Sequence, residues 1–205
     1  MQNPKHDHGA ALAHFRKQDP KIYTILEKTN LENWFERRSD LQYFESLCRS
    51  IIGQQLSVKA AETIWKRFHE LFTERPITPQ LVLEAEEATF RGVGLSGSKS
   101  QYVKNIATAF EKKQITTELL ATADDETVIE HLVQIKGIGR WTAEMFLMFT
   151  LARPNIFSMG DLGLKKGFAL VYEIENPTPE HIQQVISRWE PYRTYGSIAL
   201  WERLV

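Results

Sequence analysis

The sequence predicts an all-α fold. Apolar residues recur at steps of three and four between residues 58 and 72, which places one apolar stripe along a helix. Sustained strand alternation is nearly absent. Three further helices begin with a capping side chain followed by proline at the first helical position: Asp19 with Pro20, Thr78 with Pro79, and Thr178 with Pro179. Glycine-containing or polar breaks place the remaining helices at about 40–52, 85–91, 99–113, 125–134, 140–150, 161–172 and 194–203.

The length of 205 residues is enough for a substantial core, and one domain over residues 1–205 is the simplest organisation. Hydrophobic residues make up 42% and charged residues 25%, values that are ordinary for a folded globular protein. Flexibility is expected, at most, in roughly the first 12 residues. These include His6 and His8, which form a candidate metal-binding pair, although a polar, mobile terminus is the favoured interpretation.

The charge balance limits how the protein can bind a polyanion. Lys and Arg total 25 against 26 Asp and Glu, so the net charge of -1 provides no global cationic field. Any binding of nucleic acid therefore requires a local basic face. The single cysteine, Cys48, excludes an intrachain disulfide framework and a four-cysteine iron-sulfur cluster or zinc ribbon. We expect a cytoplasmic protein, because the N-terminal segment lacks the apolar core of a signal peptide and no apolar run could span a membrane.

The segment 132–143, LVQIKGIGRWTA, predicts a helical hairpin that binds phosphate. Gly137 and Gly139 can expose main-chain amides without a Cβ, and the next helix begins near Arg140 with unpaired first-turn amides. Apolar residues on the inner side would hold the two helices together: Leu132, Ile135, Ile138, Ala143 and Phe146. The alternative is a tight helix-helix turn with no ligand, since glycine commonly ends helices.

The arrangement L-x-x-I-K-G-I-G-R-W-T-A resembles the helix-hairpin-helix element of the DNA glycosylase superfamily, with the hairpin at about 125–150. Three more segments resemble the alkylation-repair, 3-methyladenine DNA glycosylase II branch: SIIGQQLSVKAA at 50–61, GVGLSGSKSQYVKNIA at 92–107 and FSMGDLGLKKG at 157–167. The resemblance spans most of residues 40–203 and implies two helical lobes flanking a base-binding cleft. The short chain is expected to be the catalytic core without the β-rich domain of some members.

Asp161 matches the aspartate that family members place at the mouth of the base pocket, and the resemblance makes it the catalytic residue. A carboxylate there would stabilise the positive charge that develops on the deoxyribose, or orient and deprotonate water. The sequence leaves the choice between these two roles open. It also allows Asp161 to cap the following helix, and the two functions are compatible because a helix N-terminus favours an ionised carboxylate.

The resemblance also assigns the base pocket. Family members that nick the strand carry a lysine nucleophile near the start of the second hairpin helix, whereas this chain has Trp141, so a monofunctional enzyme that uses water is expected. Trp141 would stack on a flipped, positively charged purine, with Tyr192 as a second aromatic wall. Packing in the core is the alternative for each ring.

The DNA contacts are assigned by resemblance as well. The predicted hairpin contacts are Lys136, Gly137, Ile138, Gly139, Arg140 and Thr142, and the predicted wedge beside the lesion is Gln54, Gln55 and Leu56. Which of Gln55 and Leu56 enters the DNA is left open, and ordinary packing between helices is the alternative. The remaining candidate phosphate contacts are Lys99, Lys165 and Lys166, for which solvated surface charge is an equal alternative.

The expected activity is hydrolytic excision of N-alkylated purines, such as 3-methyladenine and 7-methylguanine, from double-stranded DNA containing alkylated bases. No cofactor, metal or iron-sulfur cluster is required by this assignment, although the resemblance allows a monovalent cation at the hairpin carbonyls. A monomer is expected. A bifunctional glycosylase/lyase acting on oxidised or mismatched bases and a non-catalytic DNA-binding module are the alternatives. Whether ethenoadenine or hypoxanthine is accepted depends on pocket width, which the sequence does not give.

Overall fold

The structure, a computed structural model, describes residues 7–35, 42–72 and 76–204. Its helices are α1 (His8–Gln18), α2 (Pro20–Leu26), α3 (Tyr43–Gly53), α4 (Val58–Glu70), α5 (Pro79–Glu84), α6 (Glu87–Gly92), α7 (Gly97–Glu111), α8 (Thr117–Thr122), α9 (Asp125–Val133), α10 (Arg140–Phe149), α11 (Leu162–Tyr172), α12 (Pro179–Ile186) and α13 (Arg193–Glu202). No strand occurs within these described ranges, which confirms the all-α prediction.

The three helix starts predicted from a capping residue and proline are confirmed. Asp19 accepts a hydrogen bond from the Ile22 amide at the start of α2, at 3.4 Å. Thr78 and Thr178 cap α5 and α12 in the same way, each with a donor-acceptor distance of 3.3 Å. Each cap satisfies one of the amides that a helix N-terminus leaves without an acceptor.

Two helices, α1 and α8, have no counterpart in the sequence prediction. Helix α1 begins inside the segment for which flexibility was expected, and Asp7 caps it by accepting from the Ala10 amide at 2.8 Å. Its buried residues are only Ala11 and Phe15, one turn apart, which is too few to produce a recognisable period. His6 lies outside the described residues.

The structure describes one member of the candidate histidine pair, His8, which begins α1. His8 Nδ1 lies 3.0 Å from the Tyr195 hydroxyl, and His8 Nε2 lies 3.6 Å from the Glu32 carboxylate. In the described part of the chain, no three His, Cys, Asp or Glu side chains are grouped as they would be around a metal ion. Over the same residues, no helix is both long and apolar enough to cross a bilayer.

The chain divides into two compact units, which we call the terminal unit and the central unit. The terminal unit comprises the described parts of Met1–Arg37 and Leu147–Val205. Its core lies among α1, α2 and α11–α13, where the largest fully buried side chains are Phe15, Phe168, Trp189 and Tyr195. Aromatic edges contact aromatic faces in this core, as between Phe15 and Trp189, whose ring centroids are 6.0 Å apart.

The central unit comprises the described part of Arg38–Phe146 and contains α3–α9 and most of α10. Helix α7 packs against α3 and α5. An edge-to-face contact joins Tyr43 of α3 to Phe146 of α10, with ring centroids 6.0 Å apart. Cys48 is buried in this core, and burial raises the pKa of its thiol, so the thiolate required for nucleophilic chemistry is disfavoured.

We predict that Gly167→Ala destabilises the terminal unit. A Cβ at this position of α11 would lie 2.3 Å from the main-chain oxygen of Leu200 in α13, so backbone would have to move. The expected loss is on the order of 1–3 kcal/mol in the free energy of unfolding, measured by chemical denaturation. The matched control is Gly92→Ala, because an added Cβ there meets no atom within 4 Å. Equal denaturation midpoints for the two variants would contradict the close approach of α11 and α13.

Candidate functional site

A hairpin joins α9 to α10 in the central unit through residues 134–139. Its turn is closed by a main-chain hydrogen bond of 2.9 Å from Ile138 N to Ile135 O. The apolar residues predicted to hold its two helices together are all buried: Leu132, Ile135, Ile138, Ala143 and Phe146. Lys136 and Gly139 stay exposed, so the turn presents main chain and a cation to the outside.

The two hairpin glycines differ in conformation and surroundings, although the sequence predicts the same role for both. Gly137 has a φ of 113°, and a Cβ there would lie 2.4 Å from Cγ of Tyr102. Both its conformation and its surroundings therefore require glycine. Gly139 does not have a positive φ, and an added Cβ would meet no atom within 4 Å. The expectation of a conformation closed to other residues is thus correct for Gly137 and wrong for Gly139, which keeps space open beside the turn.

The start of α10 can attract an anion. Helix α10 begins at Arg140, directly after the exposed Gly139, and its first-turn amides have no acceptor within the helix. The positive end of the helix dipole lies at the same place. A residue without a Cβ directly before a helix N-terminus, together with this dipole, favours the binding of a phosphate group.

The side chain of Gln54 braces the hairpin. Its Nε2 donates to the Gly137 carbonyl oxygen and to Thr142 Oγ1, each at 3.2 Å. Thr142 is itself buried. These contacts give both side chains partners within the protein, so Gln54 and Thr142 support the hairpin. The wedge role of Gln54 and the DNA contact of Thr142 stay predictions.

The hairpin carbonyls already accept hydrogen bonds from the protein. Asn105 Nδ2 donates to the Lys136 carbonyl at 3.0 Å, alongside the bond from Gln54 to Gly137. Each carbonyl oxygen has two lone pairs, so these bonds do not use its full capacity as an acceptor. The monovalent cation that the resemblance allows at this turn stays a prediction.

Trp141 lines an open cleft of the central unit with a volume of about 460 Å³. Its indole is 45% exposed, which rules out the alternative that it only packs in the core. The volume is in the range of ligand sites in proteins. The cleft is lined by Ser50, Gly53, Gln54, Gln55, Leu56, Trp141, Thr142 and Met145. One of the two predicted pocket residues, Trp141, therefore lines the same cleft as the three predicted wedge residues.

The remaining wedge candidates, Gln55 and Leu56, lie in the turn between α3 and α4. Gln55 has a left-handed φ of 57°, and its side chain is exposed. Leu56 is 37% exposed, a high value for a large apolar side chain. Both remain available to enter a groove, and their role stays a prediction.

Lys99 stabilises this turn from inside the protein. Its Nζ donates to the main-chain oxygens of Ile52 at 2.8 Å and Gln54 at 2.7 Å, at the C-terminal end of α3. Partial burial lowers the pKa of the ammonium group. Lys99 therefore caps a helix, where a cation also interacts favourably with the dipole. Its suggested phosphate contact stays a prediction.

Arg140 is held by two carboxylates. Its guanidinium makes a bidentate ion pair with Glu126, with N-O distances of 2.8 and 2.9 Å, and its Nε donates to Glu144 at 3.0 Å. Hydrogen bonds to Glu126 raise the pKa of Arg140, and the same contacts lower the pKa of Glu126. The predicted phosphate contact of Arg140 would have to compete with these partners.

Asp161, in the terminal unit, is nine-tenths buried and caps α11. Its Oδ1 accepts from the Leu164 amide at 2.7 Å and from Trp201 Nε1 at 3.1 Å. The capping role inferred from the sequence is therefore confirmed. The catalytic role remains a prediction.

Sequence reasoning missed Trp201. Its indole stacks on Trp34, with centroids 6.1 Å apart and planes at 6°, and it also contacts Phe149. The only sequence signal near this contact is Gly163 in the first turn of α11. Glycine has a low helix propensity, so its presence in a helix can indicate that another group lies close by. A Cβ at Gly163 would lie 3.0 Å from both Asp161 Oδ1 and Trp201 Nε1.

Tyr192 and the two lysines of α11 were also predicted to belong to the site. Tyr192 is half-buried, and its ring packs on His14 and Tyr195, with centroid distances of 5.3 and 5.7 Å. The structure thus describes its packing in the terminal unit. Lys165 and Lys166 are exposed on α11, in agreement with either a phosphate contact or solvated charge.

The chain is similar to a known family of proteins and to individual members of it. The family model described as HhH-GPD superfamily base excision DNA repair protein matches residues 48–191. DNA-3-methyladenine glycosylase 1 of Schizosaccharomyces pombe is 33% identical over 162 residues, which cover 78% of this chain and 71% of that protein.

Solved structures agree with the family match. A 3-methyladenine DNA glycosylase from the same yeast, in complex with abasic DNA, has a TM-score of 0.78 at 29% identity and covers 94% of this chain and 95% of its own. A DNA-3-methyladenine glycosidase from Bacillus halodurans has a TM-score of 0.81 at 30% identity, covering 96% and 88%. The hairpin, the fold and the family match agree: this chain belongs to the HhH-GPD superfamily of base excision DNA repair proteins.

Proposed function

We propose that this protein is a monofunctional DNA glycosylase that hydrolyses the N-glycosidic bond of N-alkylated purines in double-stranded DNA. The observation that carries the proposal is the half-exposed Trp141, which lines a ligand-sized cleft directly after the hairpin glycines. Relatives named DNA-3-methyladenine glycosylases support the choice of alkylated bases. 3-Methyladenine and 7-methylguanine are the first substrates to assay.

Trp141 provides selectivity for damage. N-alkylation gives a purine a positive charge, and a cation over an indole face gains about 0.5–2 kcal/mol. That energy favours the alkylated over the normal base by about two- to thirtyfold. The tryptophan also replaces the lysine with which lyase members of the superfamily attack the sugar, so water is the nucleophile.

Asp161 provides the chemistry. Cleavage of the glycosidic bond develops positive charge on the deoxyribose, which an adjacent carboxylate stabilises. A cationic purine leaves as a neutral base and needs little help from an acid, so one carboxylate is sufficient. The carboxylate lies at the N-cap position of α11, where the positive end of the helix dipole is also located.

Access to the bond requires that the nucleotide leave the base stack, and the gap must then be filled. Gln55 and Leu56 are the candidates to fill it, because both are exposed and line the same cleft as Trp141. Hairpin amides at Gly139 and the start of α10, together with Lys136, would bind the phosphate backbone. We propose a monomer as the DNA-binding form.

A glycosylase/lyase and a non-catalytic DNA-binding module are the competing functions. One experiment separates all three: duplex DNA containing alkylated purines is assayed for free bases and for strand breaks before and after alkali. The proposed enzyme releases bases and yields breaks only after alkali. Breaks without alkali, together with a protein-DNA adduct trapped by borohydride, would identify a lyase, and absence of released base would identify a binding module.

We predict that Asp161→Asn retains folding and DNA binding but lowers base release by about a hundredfold or more, as measured by single-turnover excision. Asparagine is also an efficient N-cap and retains an acceptor for Leu164 N and Trp201 Nε1, so the stability should change by less than about 1 kcal/mol. Excision close to the rate of the unmodified protein would refute the assignment of Asp161.

The two hairpin glycines should separate folding from DNA binding. Gly137→Ala is expected to lower the free energy of unfolding by about 1–3 kcal/mol, because of its φ and its contact with Tyr102. Gly139→Ala should leave stability within about 0.5 kcal/mol but weaken binding to undamaged duplex, since its Cβ enters the space beside the amides. If Gly139→Ala bound duplex DNA with unchanged affinity at every salt concentration, the proposal that the hairpin binds phosphate would be refuted.

Salt dependence should distinguish the two cations of the hairpin. Lys136→Ala is expected to reduce the slope of log affinity against log salt by about one unit, as for the loss of one phosphate contact. Arg140→Ala should reduce the slope less, because Glu126 and Glu144 already balance its charge. Equal slopes for the two variants would show that Arg140 leaves its carboxylates when DNA binds.

A further inference from the structure

We propose that Trp201 is a positioning residue for Asp161: its indole N-H fixes the carboxylate in the orientation that the reaction uses. The inference rests on the proposed function, in which Asp161 is the catalytic residue. Trp201 Nε1 donates to Asp161 Oδ1 at 3.1 Å. The residues belong to α13 and the start of α11, both in the terminal unit.

Two donors fix the same carboxylate oxygen from different helices. The Leu164 amide, inside the first turn of α11, reaches Asp161 Oδ1 at 2.7 Å, and the Trp201 indole reaches it from α13. A single capping bond would still allow the carboxylate plane to rotate about that oxygen. A second donor from another direction restricts this rotation, which a cap alone does not need.

The indole of Trp201 is itself held in place. It stacks on Trp34 with a centroid distance of 6.1 Å and contacts Phe149 at 5.7 Å. Trp34 Nε1 in turn donates to Glu202 at 3.2 Å, next in sequence to Trp201. A donor fixed by stacking loses little freedom when it bonds the carboxylate.

Two glycines of α11 make this approach of α13 feasible. At Gly167 a Cβ would collide with the Leu200 main-chain oxygen at 2.3 Å, so the helices can come this close only without that Cβ. At Gly163 a Cβ would lie 3.0 Å from Asp161 Oδ1 and 3.0 Å from Trp201 Nε1. The carboxylate-indole contact thus depends on an interhelical fit that an ordinary helix cap would not require.

The consequence for the reaction is geometric. Electrostatic stabilisation of a developing cation depends on the distance and orientation of the anion, and small misplacements cost large factors in rate. Removal of the indole N-H should therefore lower the rate of bond cleavage while the DNA, which is bound by other residues, still binds.

The test compares Trp201→Phe with Trp189→Phe. Trp189 is a matched control, because its Nε1 donates to Asp19, the N-cap of α2, at 2.9 Å in the same unit. Trp201→Phe should lower the single-turnover excision rate about tenfold or more, equivalent to about 1.4 kcal/mol, with DNA affinity within about threefold. Trp189→Phe should change the excision rate by less than about threefold despite losing the same type of bond. Equal rate losses in the two variants would overturn the positioning role.

Gly163→Ala is the second variant and decides the question if Trp201→Phe does not fold. Alanine is the better helix former, so the added methyl should not weaken α11, but it should push Trp201 and Asp161 apart. A fall in excision rate at unchanged DNA affinity supports the proposal. An unchanged rate overturns it.

Nuclear magnetic resonance separates failure of this inference from failure of the proposed function. The Trp201 indole N-H signal is identified by its loss in Trp201→Phe, and its position and exchange rate are then compared in Asp161→Ala. A changed signal with faster exchange supports the contact even if the protein releases no alkylated base, in which case the proposed function alone fails. An unchanged signal overturns the inference whether or not bases are released.

Discussion

The φ of 113° at Gly137 is the constraint on which the hairpin depends. This backbone conformation directs the chain back towards α10 and brings the ring of Tyr102 against the glycine. It also directs the Gly137 carbonyl to Gln54, whose amide reaches on to Thr142. Residues of α7 and α10 and the end of α3 are thereby joined at one turn. These contacts hold the main chain of the turn in one conformation on the side that faces the protein.

Electrostatics at this site come more from main chain than from charged side chains. Two of the cations that the sequence suggested for phosphate binding already have partners within the protein. Lys99 donates to carbonyl oxygens at the end of α3, and Arg140 pairs with two carboxylates. In a protein with a net charge of -1, the amides and helix dipole at the start of α10 would therefore supplement the exposed Lys136 in the proposed attraction of phosphate. Such an arrangement would exert a weaker long-range attraction on a phosphate than a basic surface would.

The sequence predicted most of the helices because their signals are local. Capping residues, proline at the first position and apolar periodicity all act within a few residues, and α2, α5, α10 and α12 begin where those signals place them. The family resemblance predicted the hairpin, and proposed Asp161 as the catalytic residue, for a related reason: both belong to short sequence motifs. Helix α1 was missed because it buries only two residues.

What the sequence could not provide were contacts between distant segments. Gln54 contacts partners 83 and 88 residues away, so its support of the hairpin could not be predicted from its neighbours in sequence. Trp201 lies 40 residues beyond the carboxylate that it contacts. The difference between Gly137 and Gly139 likewise depends on Tyr102, which no local pattern reveals.

The bonds of Lys99 to the end of α3 have a consequence for the thermodynamics of binding. One ammonium group holds the carbonyls of Ile52 and Gln54, immediately before the exposed Gln55 and Leu56. The turn that carries these two residues is therefore ordered during folding. The conformational entropy of the turn is lost on folding, so the contacts proposed between these two residues and DNA would not carry that cost at binding.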